Sequence, residues 1–530
     1  MSGAFRRELD ALRPTDERGR RWLYVPYDQL SDALGPLAAE DPRTLGVVLV
    51  ESRAKAARRP YHRQKLALVL ANQRHFALEQ ARRGVAVRHL AGEAGFAEQL
   101  EALGGELGVL RVMEPAEREL RVELAPLVAR GALEVVPHAG WLTSSEHFAA
   151  SQGDAPPWRM DAFYRHVRRE LEVLMQDGAP QGGRFSFDTE NRRPWRGEPP
   201  APAPPRTEPD AVTREVLELV ERDFADHPGR LDGGALPATR ADAERLLAWA
   251  VEACLPHFGP YEDAISERSG GLFHTRLSGL VNLHRLTPRE VVDAALAADL
   301  PLASKEGFVR QVLGWREFVR HVHRATDGFR DLPGELANDD ASPSFLGARE
   351  ALPSAFWDRP SGLRCLDAVV AQVWREAWTH HIPRLMVLSN LATLLDVSPR
   401  ELTDWFWVAF SDAYDWVVEP NVLGMGTFAA GELMTTKPYV CGAAYLAKMG
   451  DACGACRFDP RRDCPITALY WDFLGRQRER LADNPRLRMP LAAQAKRSRT
   501  QRREDAYVAG KVRELLAEGR ELAPGDMRVR

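Results

Sequence analysis

The chain has 530 residues, 45% hydrophobic and 28% charged, with a formal net charge of −4. This is the make-up of an ordinary globular protein too long for a single core, so two domains are expected, and it argues against a surface coated in basic charge while leaving room for a local basic groove. No run of roughly eighteen apolar residues is present to span a bilayer, and Met1-Ser2-Gly3-Ala4-Phe5-Arg6-Arg7 opens a charged stretch without an apolar signal core; a cytoplasmic location is expected.

Within the first 140 residues, short β-rich runs alternate with amphipathic stretches. The runs are Trp22-Leu23-Tyr24-Val25, Gly46-Val47-Val48-Leu49-Val50, Val85-Ala86-Val87-Arg88, Val109-Leu110-Arg111-Val112 and Leu133-Glu134-Val135-Val136. Helical spacing extends from Lys65 to Arg83 between the second and third, and from Glu119 to Arg130 before the last. The order predicts a parallel, Rossmann-like α/β domain over residues 1–140. Strand signals then fade. Pro199-Pro200-Ala201-Pro202-Ala203-Pro204-Pro205 supports neither helix nor sheet, so residues 141–210 read as an interdomain connection with a polyproline-like linker. From Asp210 onward apolar spacings of three and four recur at Ala211 to Phe224, Ala241 to Cys254, Gly307 to Val322, Leu366 to Leu395 and Pro399 to Phe410. Residues 211–530 are expected to form a large all-α domain. In the tail, Lys496-Arg497-Ser498-Arg499 and Arg502-Arg503 read first as a solvated helix face.

The six cysteines are few and uneven, and Cys453, Cys456 and Cys464 fall within twelve residues. In a reducing compartment such clustering points to metal binding, and soft thiolates at this spacing suit zinc or an iron–sulfur cluster equally. A fourth ligand is required, and spacing does not choose among Cys365, Cys441 and Cys254.

Across the helical half, Gly314-Trp315-Arg316-Glu317-Phe318, His380-His381-Ile382-Pro383-Arg384-Leu385-Met386, Ser411-Asp412-Ala413-Tyr414, Pro420-Asn421-Val422-Leu423-Gly424-Met425 and Lys437-Pro438-Tyr439 follow one another. With Gly182-Gly183-Arg184-Phe185-Ser186-Phe187-Asp188 and Asp28-Gln29-Leu30 upstream, the order resembles the photolyase/cryptochrome superfamily. Cys365 ahead of the double histidine and three cysteines behind it resemble the iron–sulfur bacterial branch, whose repair-active members act on (6-4) photoproducts. The resemblance implies an α/β antenna domain, a helical FAD-binding domain, and a [4Fe-4S] cluster on Cys365, Cys453, Cys456 and Cys464. Cys441 and Cys254 are then spare.

The same resemblance implies roles for individual residues. Thr275, Leu277 and Ser278 match the flavin phosphate turn, although a Thr-x-x-Ser pair before a helix is ordinarily a cap. Trp315, Arg316, Arg384, Asp412 and Asn421 match flavin contacts, with an Arg–Asp pair steadying a guanidinium near the ring. His381 matches the lesion-facing histidine, the group for proton transfer, with Tyr439 and Gln311 as further lesion contacts. Leu385 stands where animal relatives carry a second histidine. Trp405 and Trp357 match electron-transfer positions, whereas Phe406 replaces a redox-active tyrosine and the direction of Trp407 is open. Asp28, Gln29 and Glu51 match contacts of a 6,7-dimethyl-8-ribityllumazine antenna, with the bulky Tyr27 where relatives have glycine. Val417-Val418-Glu419 places an apolar residue where a polar group opposite flavin N5 is expected. The expected protein is a monomeric, light-driven carbon–carbon lyase repairing (6-4) lesions in UV-damaged DNA. The alternative is a cryptochrome-like blue-light photoreceptor with the same cofactors.

Overall fold

The structure is a computed structural model that describes residues 3–153 and 155–528; Met1 and Ser2 of the charged opening stretch lie outside it. Five parallel strands, β1 (Arg21–Tyr24), β2 (Leu45–Ser52), β3 (Ala86–Gly92), β4 (Leu110–Met113) and β5 (Leu133–Val136), form a sheet in the order β3-β2-β1-β4-β5. All eight residues of β2 are buried, as expected of a strand covered on both faces.

Alternation along the strands divides the interior. Trp22, Tyr24, Val48 and Val50 point into the main core, which continues without a break into the helical part of the chain. Leu23, Val25, Val47 and Leu49 point to the other face, where Phe5, Leu9, Ala77, Leu78 and Val212 cover them. Polar ties reinforce the apolar contact between the two parts. Leu30 donates its backbone N–H to Leu283 O at 2.9 Å, and the buried Lys65 ammonium donates to the carbonyls of Trp407 and Ala413 at 2.8 and 2.6 Å.

Beyond residue 140 the regular structure of the described residues is helical apart from an isolated bridge between Glu350 and Val397 and a two-residue hairpin pairing Met175–Gln176 with Ala179–Pro180, which the sequence reading lacks. The run expected from Leu366 to Leu395 is interrupted. The helix Arg364–Glu376 ends at Ala377, which turns left-handed at φ 51°, and helical structure resumes only at His381. That break is what presents His380 and His381 at the start of a new helix. No helix among the described residues is long and apolar enough to cross a membrane.

Candidate functional site

Four π-type turns are found among the described residues of the C-terminal part, at Ala250–Cys254, Arg310–Arg316, Pro383–Ser389 and Pro420–Gly426. The last three line one cavity of about 870 Å³. A π-turn adds a residue to the helical repeat and redirects the side chains around it, which is why such turns gather at binding sites. The cavity size suits a dinucleotide-sized cofactor with space left over.

One wall is built on charge. Arg384 holds Asp412 through two N–H···O bonds of 2.9 Å, and the Ser278 hydroxyl donates to the same carboxylate at 2.6 Å. Burial works to raise the Asp412 pKa, but the Arg384 guanidinium and the two hydrogen-bond partners outweigh it and hold the carboxyl below its ordinary value. Ser278 begins the helix Ser278–Asn282 yet makes no capping bond, so its hydroxyl belongs to the site. Thr275, Leu277, Trp315 and Asn421 also face the cavity. Val417 and Val418 line it as well, whereas Glu419 turns the other way, accepting from His323 at 2.9 Å and Arg400 at 3.0 Å.

The same cavity is lined by His381, Gln311, Tyr439 and Leu385. The Gln311 amide donates to Glu262 at 2.6 Å, so its orientation is fixed. His381 meets His274 edge to face at 5.4 Å, and His274 stacks on His380 at 4.0 Å. Burial lowers the pKa of all three imidazoles, and each is lowered further by cationic neighbours or by a neighbouring histidine.

From the cavity an aromatic row runs to the surface. Phe406 lines the cavity and meets Trp405 at 5.4 Å; Trp405 meets Trp374 at 5.9 Å; Trp374 stacks on Trp357 at 5.4 Å, and Trp357 is 42% exposed. The indole N–H groups of Trp405 and Trp374 both donate to Phe356 O at 3.0 Å, which locks their planes. Trp374 was not singled out from sequence, because within the helix Arg364–Glu376 it sits at ordinary core spacing. Trp407 faces away, beneath the Arg59 guanidinium at 4.0 Å.

The six thiols separate. The helix Arg364–Glu376 carries Cys365 in its first turn, a tight turn at Ala452–Ala455 carries Cys453 beside Cys456, and Cys464 precedes the helix Pro465–Arg476. Burial raises the Cys365 pKa, and repulsion from Cys464, Cys453 and Cys456 pushes it further. Cys464 is pushed up to about 12, chiefly by burial. Cys441 lines the large cavity instead, and Cys254 is buried elsewhere.

A second, much smaller crevice of about 80 Å³ lies beyond the carboxyl ends of β1 and β2, between the sheet and the helical part. Tyr27 fills it, donating to the buried Glu117 carboxylate and packing against Phe96 and Tyr414 at 5.6 and 6.3 Å. Glu51 lines the crevice but is bound by Arg74 at 2.7 and 2.9 Å and His89 at 3.0 Å. Gln29 is spent on Met113 O at 3.0 Å, and Asp28 is buried with Oδ1 unpartnered. Neither lines the crevice. Arg316 is likewise not at the large cavity. It is held by Glu317 at 3.1 Å and lies over Trp141 and Trp416, because successive side chains of the turn diverge and Trp315 takes the cavity side.

This pairing of a parallel sheet with a helical, cavity-bearing half is the photolyase fold. A crystal structure of a class III photolyase from Agrobacterium tumefaciens superposes with a TM-score of 0.53 over 96% of this chain and 98% of that one, at 15% identity. An archaeal photolyase from Sulfolobus tokodaii, solved with two FAD molecules, gives 0.52 over 81% and 87%, also at 15%. Residues 23–235 match the deoxyribodipyrimidine photo-lyase-related protein family, and residues 308–449 match the FAD binding domain of DNA photolyase. A (6-4) photolyase of Agrobacterium fabrum is 35% identical over 513 residues, 92% of this chain and 98% of that protein. The chain belongs to the photolyase family.

Proposed function

We propose that the protein repairs (6-4) pyrimidine–pyrimidone photoproducts in UV-damaged DNA under blue light. It would do so with residues 1–140 as the α/β domain, 141–210 as the connection and 211–530 as the catalytic domain. The observation that carries this reading is that Arg384, Asp412, Ser278 and Asn421 line the same cavity as His381 and Tyr439. Bound there, FAD supplies light absorption and one-electron chemistry. The chain's residues do the rest. The Arg384–Asp412 pair, steadied by the Ser278 hydroxyl, presents a fixed cation to an anionic ring, and Thr275 offers a hydroxyl to phosphate. His381 gives and retakes a proton at the lesion, a step that bare electron flow cannot accomplish. Similarity to the Agrobacterium (6-4) photolyase supports the lesion class.

The row Trp405, Trp374 and Trp357 is the route by which electrons reach the cavity from solvent. Trp374→Phe keeps the packing and should cost most of the photoreduction rate while leaving flavin content unchanged, as read by absorbance under illumination. The four gathered cysteines suit a [4Fe-4S] cluster. A single zinc ion at about 2.3 Å from each sulfur needs the sulfurs roughly 3.8 Å apart. Among the described residues, no three cysteines bring their sulfurs within 4.8 Å of one another. A cluster of this kind would tie the helix Arg364–Glu376 to the late loop.

The test is chromatographic: illuminate the photoreduced protein with an oligonucleotide carrying one (6-4) lesion, beside a cyclobutane-dimer oligonucleotide, and quantify intact thymines. Repair of the first, lost in darkness and in His381→Ala, is expected. Repair of neither oligonucleotide, in protein shown to contain flavin and iron, would favour the blue-light photoreceptor reading instead.

A further inference from the structure

The large cavity holds a feature that neither flavin binding nor proton transfer uses in full. His274, His380 and His381 bring ring nitrogens together so that one from each lies within 4.8 Å of the other two. Two of these rings are almost completely buried, His274 at 6% exposure and His380 at 4%, yet His274 Nε2 and His380 Nδ1 have no hydrogen-bond partner. A buried polar nitrogen without a partner is costly and calls for a ligand. His381 completes the set from the open side, on the cavity wall.

We propose that His274, His380 and His381 form a binding site for a borderline transition-metal ion, Zn2+, Cu2+ or Ni2+, open to the cavity at its remaining position. A donor set of three neutral imidazoles selects these ions over Mg2+ and Ca2+, which prefer oxygen ligands. In the metal-free arrangement the His274 and His380 rings stack at 14°. One ring therefore turns about its Cβ–Cγ bond on binding, which brings the nitrogens to roughly 3.3 Å apart around a tetrahedral ion with Zn–N near 2.05 Å. An ion held there takes the lone pair of His381, so metal binding and repair compete. That competition rests on the repair reading; the binding itself does not.

The experiment uses the flavin- and iron-loaded protein. Cu2+ added to one equivalent is followed by electron paramagnetic resonance, and Zn2+ by calorimetric titration, in the wild type, His274→Gln and His380→Gln. The expected result is nitrogen hyperfine structure from the copper and one Zn2+ equivalent whose affinity falls about ten-fold or more in each variant. A Zn2+ affinity equal in all three proteins, or copper without nitrogen ligation in the wild type, overturns the site. If one variant fails to fold, the other, compared with the wild type, decides the matter. With binding established, Zn2+ should abolish (6-4) repair while leaving flavin content and photoreduction intact. A protein that binds the ion and repairs no lesion under any condition fails the repair reading and leaves the metal site standing.

Discussion

The two places where a photolyase-type chain could hold a chromophore differ here by an order of magnitude, about 870 Å³ in the helical half and about 80 Å³ at the sheet edge. Both are lined by polar groups, but those groups are used differently. In the large cavity the charged wall is the Arg384–Asp412 pair, and both of its members border the open space. At the sheet edge Tyr27, Lys55, Glu117, Glu51 and Arg74 satisfy one another. The residues at the sheet edge therefore do not fit a ribityllumazine, whose size falls in the range that needs several hundred Å³. An edge crevice at the carboxyl ends of parallel strands is a ready-made ligand site by topology, and one tyrosine is enough to close it.

The hardest test of this contrast is Arg384→Ala. It strands the buried Asp412 carboxylate, a change of the kind that costs about 3–5 kcal/mol, and it removes the guanidinium paired to it. Flavin should be absent from the purified protein by absorbance, and the melting temperature should fall. Asp412→Asn with Arg384 intact should keep more of both. Retention of full flavin in Arg384→Ala would mean that the pair is a packing feature like those at the sheet edge. Tyr27→Gly tests the other side. Loss of a large buried aromatic costs about 3 kcal/mol, and the variant should fall by that much in denaturant titration. In exchange it should bind added ribityllumazine, read by quenching of the pterin-like fluorescence, where the wild type does not. If the wild type already copurifies with the lumazine, the crevice opens in solution and the contrast collapses.

Much of this was legible in advance, for identifiable reasons. The five strands are fixed by apolar runs that the α/β arrangement requires, and each observed strand overlaps its predicted run. Thr275, Ser278, Arg384, Asp412, Asn421 and His381 all meet at one cavity. What escaped is set by direction rather than by residue type. Arg316 and Trp315 are adjacent, but only a wide helical turn decides which of them looks into the cavity, and no residue pattern announces such a turn. Trp374 escaped because a buried tryptophan and a relay tryptophan have the same helical spacing; only its stacking between Trp405 and Trp357 tells them apart. The third histidine was visible as part of the phosphate-turn string, but its approach to His380 depends on a left-handed residue at Ala377 and on Arg276, at φ 55°, in a loop a hundred residues away.

Asp28 gives the finest probe of the closed crevice's surroundings, because it is buried there with an unpartnered oxygen. Burial pushes its pKa up to about 7 from 3.8, and Asp415 adds to the rise while its own backbone bond, Lys55 and Arg316 oppose it. A carboxyl raised on folding contributes its full stability only below its unfolded pKa, and loses it as pH climbs through the folded value. The wild type should therefore lose ground to Asp28→Asn as pH rises from about 4 to about 7, and the gap should level off above that. Between roughly pH 5.5 and pH 8.5 the advantage of the variant should grow by about 2 kcal/mol, measured by urea unfolding at each pH. A gap that does not change with pH would mean that Asp28 is ionised and solvated when folded, so that water reaches this side of the sheet edge and the crevice is less sealed than Tyr27 makes it.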